Sequence, residues 1–181
     1  GLAVVCTDDP GVNDVLADIG RSITTYGTND EADVRAVNIV FTAATTEFDV
    51  VRMSSDGLLH VKLQLPGMHN VRNALSAIAV ADELQVSNDA LAKALEEFEG
   101  IDRRFQCLGE VQTSAGTVML VDDYGHHPTE IAATLSAASS GWPGKRVVLV
   151  FQPHRYSRTR DLMDDFATVL SDADVLVLLE V

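Results

Sequence analysis

The sequence predicts an α/β protein in two parts: an α/β domain carrying an antiparallel β meander, then a domain built on a parallel sheet. Three observations predict it. Residues 2–27 run strand, helical stripe, strand; residues 34–65 hold three β-rich runs in succession; and residues 117–121 and 146–151 are apolar strands that each deliver a polar loop into a helix. No internal repeat or low-complexity tract interrupts this order.

Residues 2–6 are an apolar strand, and Asp8, Asp9, Pro10 and Gly11 mark the turn after it. Val12, Val15, Leu16 and Ile19 then recur at helical spacing until Gly20 stops them, and residues 23–27 form the next strand. Residues 34–42, 47–53 and 58–65 are the β-rich runs. Ala43, Ala44, Thr45 and Thr46 separate the first two weakly, whereas Ser54, Ser55, Asp56 and Gly57 are a clear turn before the third. In that third run Val61, Leu63 and Leu65 alternate with Lys62 and Gln64, the pattern of a half-exposed antiparallel strand. Pro66 and Gly67 lead into the strongest helical signal, with Ala74, Leu75, Ile78, Ala81 and Leu84 on one stripe. His69, Asn70 and Asn73 stand at its start and can share a face near the positive helix end. Asparagine offers a donor and an acceptor, which suits a heterocycle edge such as adenine; it is equally a common helix cap. A helix over residues 90–98 carries Leu91, Leu95 and Phe98 inward and ends at Gly100.

The domain boundary falls at about Arg104 to Gln106, dividing the chain into residues 1–104 and 105–181. Arg103 and Arg104 on that seam suit a phosphate, or simply a solvated linker. Residues 108–113 and 117–121 read as strands joined by Ser114, Ala115 and Gly116, a hairpin-like entry to Asp122, Asp123, Tyr124, Gly125, His126, His127 and Pro128. Pro128 suits a first helical position, so the polar loop is anchored on both sides. Asp123 and His126 are the candidates to face a polar ligand; the alternative is that Asp122 and His127 merely cap backbone and one or two of the five polar side chains are ordinary surface. The following helix stops at Gly141 before Trp142 and Pro143. Residues 146–151 predict a parallel strand covered on both faces. It delivers Gln152 to Arg160 into a helix over 161–170, and a strand at 175–179 follows. In one parallel sheet the two polar loops lie side by side, bringing Asp123 and His126 toward Arg155 and Arg158. An arginine fork grips carboxylate or phosphate by two hydrogen bonds. Arg160, deepest into the helix, is the one expected to be merely exposed.

Composition narrows the function classes. The 181 residues are 46% hydrophobic, enough for packed cores, and the net charge of −14 makes nucleic acid a poor partner. Five of the 13 Lys and Arg nevertheless sit at Arg103, Arg104, Arg155, Arg158 and Arg160, a locally positive feature that expects an anionic ligand. No apolar run reaches the ~20 residues of a membrane span, and the first residues lack the pattern of a signal peptide, so the expected location is the cytoplasm without membrane insertion. Cys6 and Cys107 are expected to be reduced, buried thiols.

Four stretches carry a resemblance: residues 67–74 (with His69, Asn70 and Asn73), 100–105 (with Arg103 and Arg104), 122–130, and 151–160. Together they resemble the Mur ligase family. The first two are shared across that family; the last two, in this order and spacing, match its alanine-adding branch. The resemblance implies the second half of a central ATP-binding domain followed by the first part of a Rossmann-like amino-acid-binding domain. It implies a cytoplasmic enzyme of peptidoglycan precursor synthesis that joins L-alanine to the lactyl carboxylate of UDP-N-acetylmuramic acid, using ATP and Mg2+. An acyl phosphate forms first, and the alanine amine then displaces phosphate. Carried over position by position, Asn70 and Asn73 bind the adenine, with His69 also in the cofactor site, Arg104 binds the ATP phosphates and Asp123 the ribose. Tyr124 and His126 line the reaction centre. His154, Arg155 and Arg158 hold the substrate carboxylates or the transferred phosphoryl group, with His126, Arg155 and Arg158 as the catalytic set. The metal ligands are expected upstream, not in these residues.

One departure matters: the sequence contains no Gly-rich loop ending in Gly-Lys-Ser or Gly-Lys-Thr. The expectation is an internal piece that binds nucleotide weakly and does not ligate by itself. Three other readings stand beside this one. One is a relative that attaches a whole recycled tripeptide to the same sugar nucleotide, less well matched by residues 152–160. Another is a non-catalytic nucleotide-binding module. The third is a metal-dependent hydrolase using Asp122, Asp123, His126 and His127, although such adjacent pairs cannot all point at one ion from an ordinary turn.

Overall fold

Strand β1 (Leu2–Cys6) pairs in parallel with β2 (Ser22–Gly27), and the link between them is helical, as the spacing predicts. This computed structural model describes residues 1–42, 45–53, 55–114 and 116–180. Helix α1 (Pro10–Val15) starts where Asp9 accepts the N–H groups of Gly11 and Val12, with Pro10 in the first turn. It gives way at Leu16 to a single tight turn, so Val12, Leu16 and Ile19 are half-buried while Val15 is 50% exposed.

The meander follows. β3 (Val34–Phe41) touches β2 in parallel only through Tyr26↔Val34 and Gly27↔Arg35, then runs antiparallel to β4 (Thr46–Arg52), which pairs antiparallel with β5 (Ser55–Leu63). The resulting five-stranded sheet has the order β1-β2-β3-β4-β5. Ala43 and Ala44 of the weak separator lie outside the described residues, as does Ser54. The turn expected at residues 54–57 is shorter than its composition implies, because Asp56 and Gly57 already belong to β5. Leu59, Val61 and Leu63 point into the core, confirming the alternation.

Helix α2 (Met68–Glu83) lays Val71, Ala74, Leu75 and Ile78 on β1, β2 and β3, and Leu75 and Ile78 are fully buried. Each such side chain contributes roughly 1.5–3 kcal/mol by leaving water. The stripe ends a residue early: Leu84 is the C-cap and 69% exposed, because Gln85 takes a left-handed conformation and turns the chain away. Helix α3 (Asn88–Glu96), capped by Ser87, packs on β5 through Leu91, with Leu95 at its margin. Phe98 lies beyond the helix end and is exposed, not inward.

The chain divides into two compact units, Gly1–Glu99 and Gly100–Val181. In the second, β6 (Gln106–Thr113) and β7 (Gly116–Asp122) form an antiparallel hairpin, whose middle turn residue Ala115 lies outside the described residues. Helix α4 (Pro128–Gly141) follows, then β8 (Val148–Phe151), α5 (Tyr156–Asp161), α6 (Met163–Leu170) and β9 (Val175–Leu178). The single helix expected over 161–170 is thus two, broken at Leu162 where the backbone leaves helical values. Ile131, Leu135, Phe151, Phe166, Val169 and Leu170 make a second core.

Three expectations fail here. β8 pairs in parallel with β9, β7 pairs antiparallel with β6, and among the described residues no ladder joins β7 to β8. Nor is β8 covered on both faces: Val148 and Val150 are 49% and 60% exposed. Both cysteines are free, yet Cys6 is only half-buried and Cys107 exposed. No helix among the described residues is long and apolar enough to cross a membrane.

Candidate functional site: the loop between β7 and α4

The loop is built around two carboxylates. Asp123 accepts the Phe105 N–H on Oδ2 at 2.8 Å and the Gly125 N–H on Oδ1 at 2.6 Å. It therefore ties the loop to the segment that enters β6. That segment is strained: Arg103 and Phe105 both have positive φ, 59° and 48°, each unfavourable by about 1–3 kcal/mol. The Asp123 bond, the Tyr124 N–H to the Arg103 carbonyl at 2.7 Å, and the stacking of buried Phe105 on Trp142 hold it there.

Glu130 is the second carboxylate, one turn into α4. Its Oε2 accepts the His126 N–H at 2.9 Å and the His127 N–H at 3.1 Å, while the His127 ring nitrogen accepts the Thr129 N–H. This is a capping box with histidine in the N-cap place. Glu130 Oε1 also lies 3.7 Å from Arg104 Nη1. Burial alone would raise the Glu130 carboxyl, but the His126 N–H and imidazole, the His127 N–H and Arg104 outweigh it, so the group sits below its ordinary value. Glu130 is the residue that sequence reasoning left without a role. Its signal was present, since a Glu two places after a first-turn Pro is the reaching partner of a capping box.

Around these carboxylates the side chains stack. Arg103 lies over the Tyr124 ring at 4.8 Å with its Nε 3.5 Å from Asp122, and Tyr124 meets His126 edge-on at 5.2 Å. His126 Nδ1 is 3.3 Å from the Tyr124 carbonyl and 3.4 Å from Glu130 Oε2. A proton on Nδ1 thus has two acceptors, leaving Nε2 as the basic nitrogen. Of the expected residues, the structure gathers Arg104, Asp123, Tyr124 and His126 here. It assigns Asp122 to Arg103 and His127 to the helix cap, so the four groups of the metal-hydrolase reading do not converge.

The second loop lies at the end of β8. Asp123 and Gly125 share a cleft of about 60 Å³ with Leu149, Val150 and Phe151, so the loop bases are neighbours even without a shared ladder. His154 and Arg155 are exposed, Arg155 with φ 68°, and Arg158 is half-exposed. Neither Arg155 nor Arg158 makes a side-chain ion pair among the described residues, and none joins them to His126, whereas Arg160 pairs with adjacent Asp161 at 2.8 Å. In the first unit, His69 and Asn70 are half-buried in the first turn of α2, and Asn73 is exposed on its outer face. Asn70 is not a cap. Gly67 holds that place, and the Asn70 amide donates to the Pro66 carbonyl at 2.8 Å.

Fold and loops define a two-unit α/β protein that sets arginines and an imidazole at strand-to-helix turns. Residues 1–81 match the Mur ligase middle domain and residues 103–181 the Mur ligase, glutamate ligase domain. The chain belongs to the Mur ligase family. Among solved structures it is similar to UDP-N-acetylmuramate-alanine ligase MurC from Thermotoga maritima, at 30% identity and a TM-score of 0.78 over 99% of this chain and 38% of that one. It is also similar to a murein peptide ligase from Psychrobacter arcticus, at 27% identity and TM-score 0.69 over 98% of this chain and 37% of that one. MurF ligase from Thermotoga maritima, solved in complex with ADP, shares the fold at 19% identity and TM-score 0.75, over 99% of this chain and 40% of that one. The chain therefore spans well under half the length of these proteins.

Proposed function

We propose that this chain is part of a cytoplasmic UDP-N-acetylmuramate:L-alanine ligase, which uses ATP to join L-alanine to the lactyl carboxylate of UDP-N-acetylmuramic acid. The observation that carries this is Glu130 of α4, which accepts the His126 N–H and lies beside Arg104 of the segment entering β6, so that a guanidinium and an imidazole meet at one carboxylate. The identity to a MurC favours alanine as the amino acid.

The residues fit a nucleotide. With its nitrogen on Pro66, Asn70 keeps an oxygen to accept, and exposed Asn73 offers donor and acceptor, the pair an adenine edge requires. Asp123 retains second lone pairs for a ribose hydroxyl. Arg104, loosely held by Glu130, is able to turn to phosphate, which it grips with two parallel hydrogen bonds. Magnesium is different: among the described residues no group of three or more His, Cys, Asp or Glu could hold a metal ion, so none is assigned to it.

ATP supplies the phosphoryl group that activates the carboxylate. This chain's part is electrostatic: Arg155 and Arg158, with His154, hold the carboxylate and the charge that grows on the phosphoryl oxygens. His126 Nε2 is placed to take the proton lost by the attacking amine, and Tyr124 orients the ring. In a protein containing this segment, ADP release is expected to require both L-alanine and the muramoyl nucleotide, and Arg155→Ala or Arg158→Ala to lower kcat/KM by roughly 100-fold or more. Release that needs the tripeptide in place of alanine would move the assignment to the murein peptide ligases. Residues 1–181 alone, without a Gly-Lys-Ser or Gly-Lys-Thr loop, are expected to bind ATP and release no ADP.

A further inference from the structure

A dense polar centre among the described residues of the first unit lies at the carboxyl ends of β1 and β2, and its own residues were given no role above. Asp8 is its hub, with a side chain only 7% exposed. Oδ1 accepts the Thr28 N–H at 2.9 Å, the Thr28 hydroxyl at 3.2 Å and the Asn29 amide at 3.3 Å; Oδ2 accepts the Thr28 hydroxyl at 3.1 Å and Arg72 Nε at 3.0 Å. The socket is moulded to this carboxylate. A Cβ on Gly27 would stand 2.7 Å from Asp8 Oδ1 and 2.8 Å from Thr7 Oγ1, so only glycine leaves room. Burial raises the carboxyl, but the Thr28 N–H and Arg72 outweigh it and hold it below its ordinary value.

Thr7, Asp8, Gly27, Thr28 and Asn29 are strand-end scaffolding; Arg72 is not. It comes from α2, between Asn70 and Asn73, and its bond to Asp8 spans 64 residues of chain. The first turn of α2 needs such a tie, because its N-cap is Gly67, which has no side chain to clasp the free N–H groups. A partly buried, charge-assisted hydrogen bond from Arg72 to Asp8 ties down the turn on which His69, Asn70 and Asn73 sit.

We propose that Asp8 is a positioning residue for nucleotide binding: through Arg72 it sets the first turn of α2, so that Asn70 and Asn73 meet the adenine already aligned. This rests on the nucleotide reading above. Prealigned donors and acceptors raise affinity by removing the ordering cost of binding.

The test is equilibrium titration of the 181-residue chain with ATP, followed by amide NMR at a temperature where every variant is folded. Asp8→Asn and Arg72→Met are each expected to weaken ATP binding roughly tenfold, the scale of one charge-assisted hydrogen bond. The double variant should be no weaker than either single one, since both remove the same contact. A role confined to stability would lower the unfolding temperature and leave the affinity of the folded chain unchanged, which overturns the proposal, as would additive losses. Asn70→Ala and Asn73→Ala separate the two levels. If they weaken ATP binding while Asp8→Asn and Arg72→Met do not, the positioning role alone falls. If they have no effect, or the unaltered chain binds no ATP, the nucleotide reading falls with it. Should Asp8→Asn not fold, Arg72→Met decides by itself, because its 42% exposed side chain can be replaced without opening the core.

Discussion

Glu130 shows how one side chain organises a loop. Its two oxygens serve His126, His127 and Arg104, so Glu130→Ala should expose two uncapped N–H groups and destabilise the second unit by about 1 kcal/mol in urea unfolding. The pH dependence has a definite sign. The folded carboxyl lies below its ordinary 4.5, so its contribution is complete above 4.5 and is lost as pH falls through the lower folded value. Glu130→Gln is therefore expected to be less stable than the unaltered chain near neutral pH, with the difference closing as pH falls below 4.5; a deficit that stays constant with pH would show that charge plays no part. At this scale the sequence was partly legible. Asp123, Tyr124 and His126 stood out as a polar cluster, but nothing in their order says that both Asp123 oxygens would be taken by backbone N–H groups of Phe105 and Gly125. That outcome depends on Phe105, eighteen residues away, adopting a left-handed conformation.

Among elements, the meander and the β8–β9 pair differ in kind. β4 and β5 each have buried inward faces and α2 or α3 on the sheet, whereas every described residue of β9 is exposed and β8 buries only Phe151 fully. Amides in β8 and β9 are accordingly expected to exchange with solvent faster than those of β4 and α2, as hydrogen-exchange NMR would report. Equal protection in both would mean that the exposed apolar strands are held by something other than their own burial. The start of α4 was legible because Pro128 announces it chemically, whereas Asp9 read as a turn and the Ser87 cap went unread, so that α3 begins at Asn88, ahead of the expected residue 90. Helix ends and breaks were less so: Leu84, Phe98 and Leu162 all continue an apolar pattern past the point where the backbone stops. Apolarity reports a tendency to be buried, and it cannot mark where a neighbour ceases to offer cover.

Taken whole, the molecule carries 27 acidic residues against 13 basic ones, and self-repulsion should weaken both units at low ionic strength. Raising salt from about 10 mM to about 0.5 M is expected to raise the Tm, since screening relieves the net charge more than it weakens scattered ion pairs; a falling Tm would mean that pairs such as Arg52–Asp82, with Arg52 nearly buried, dominate. The sequence by itself determined the α/β class, the order of strands and helices, the meander, and the residues that mark the Mur ligase family, because periodicity, turn chemistry and motif spacing are written along the chain. Only the tertiary structure decided that among the described residues no ladder joins β7 to β8, that Glu130 draws Arg104 and His126 together, and that Asp8 reaches Arg72 across the first unit. The Arg104–Glu130 and Asp8–Arg72 contacts join residues far apart in sequence, and their geometry is set by how backbones pack, a quantity no local pattern encodes.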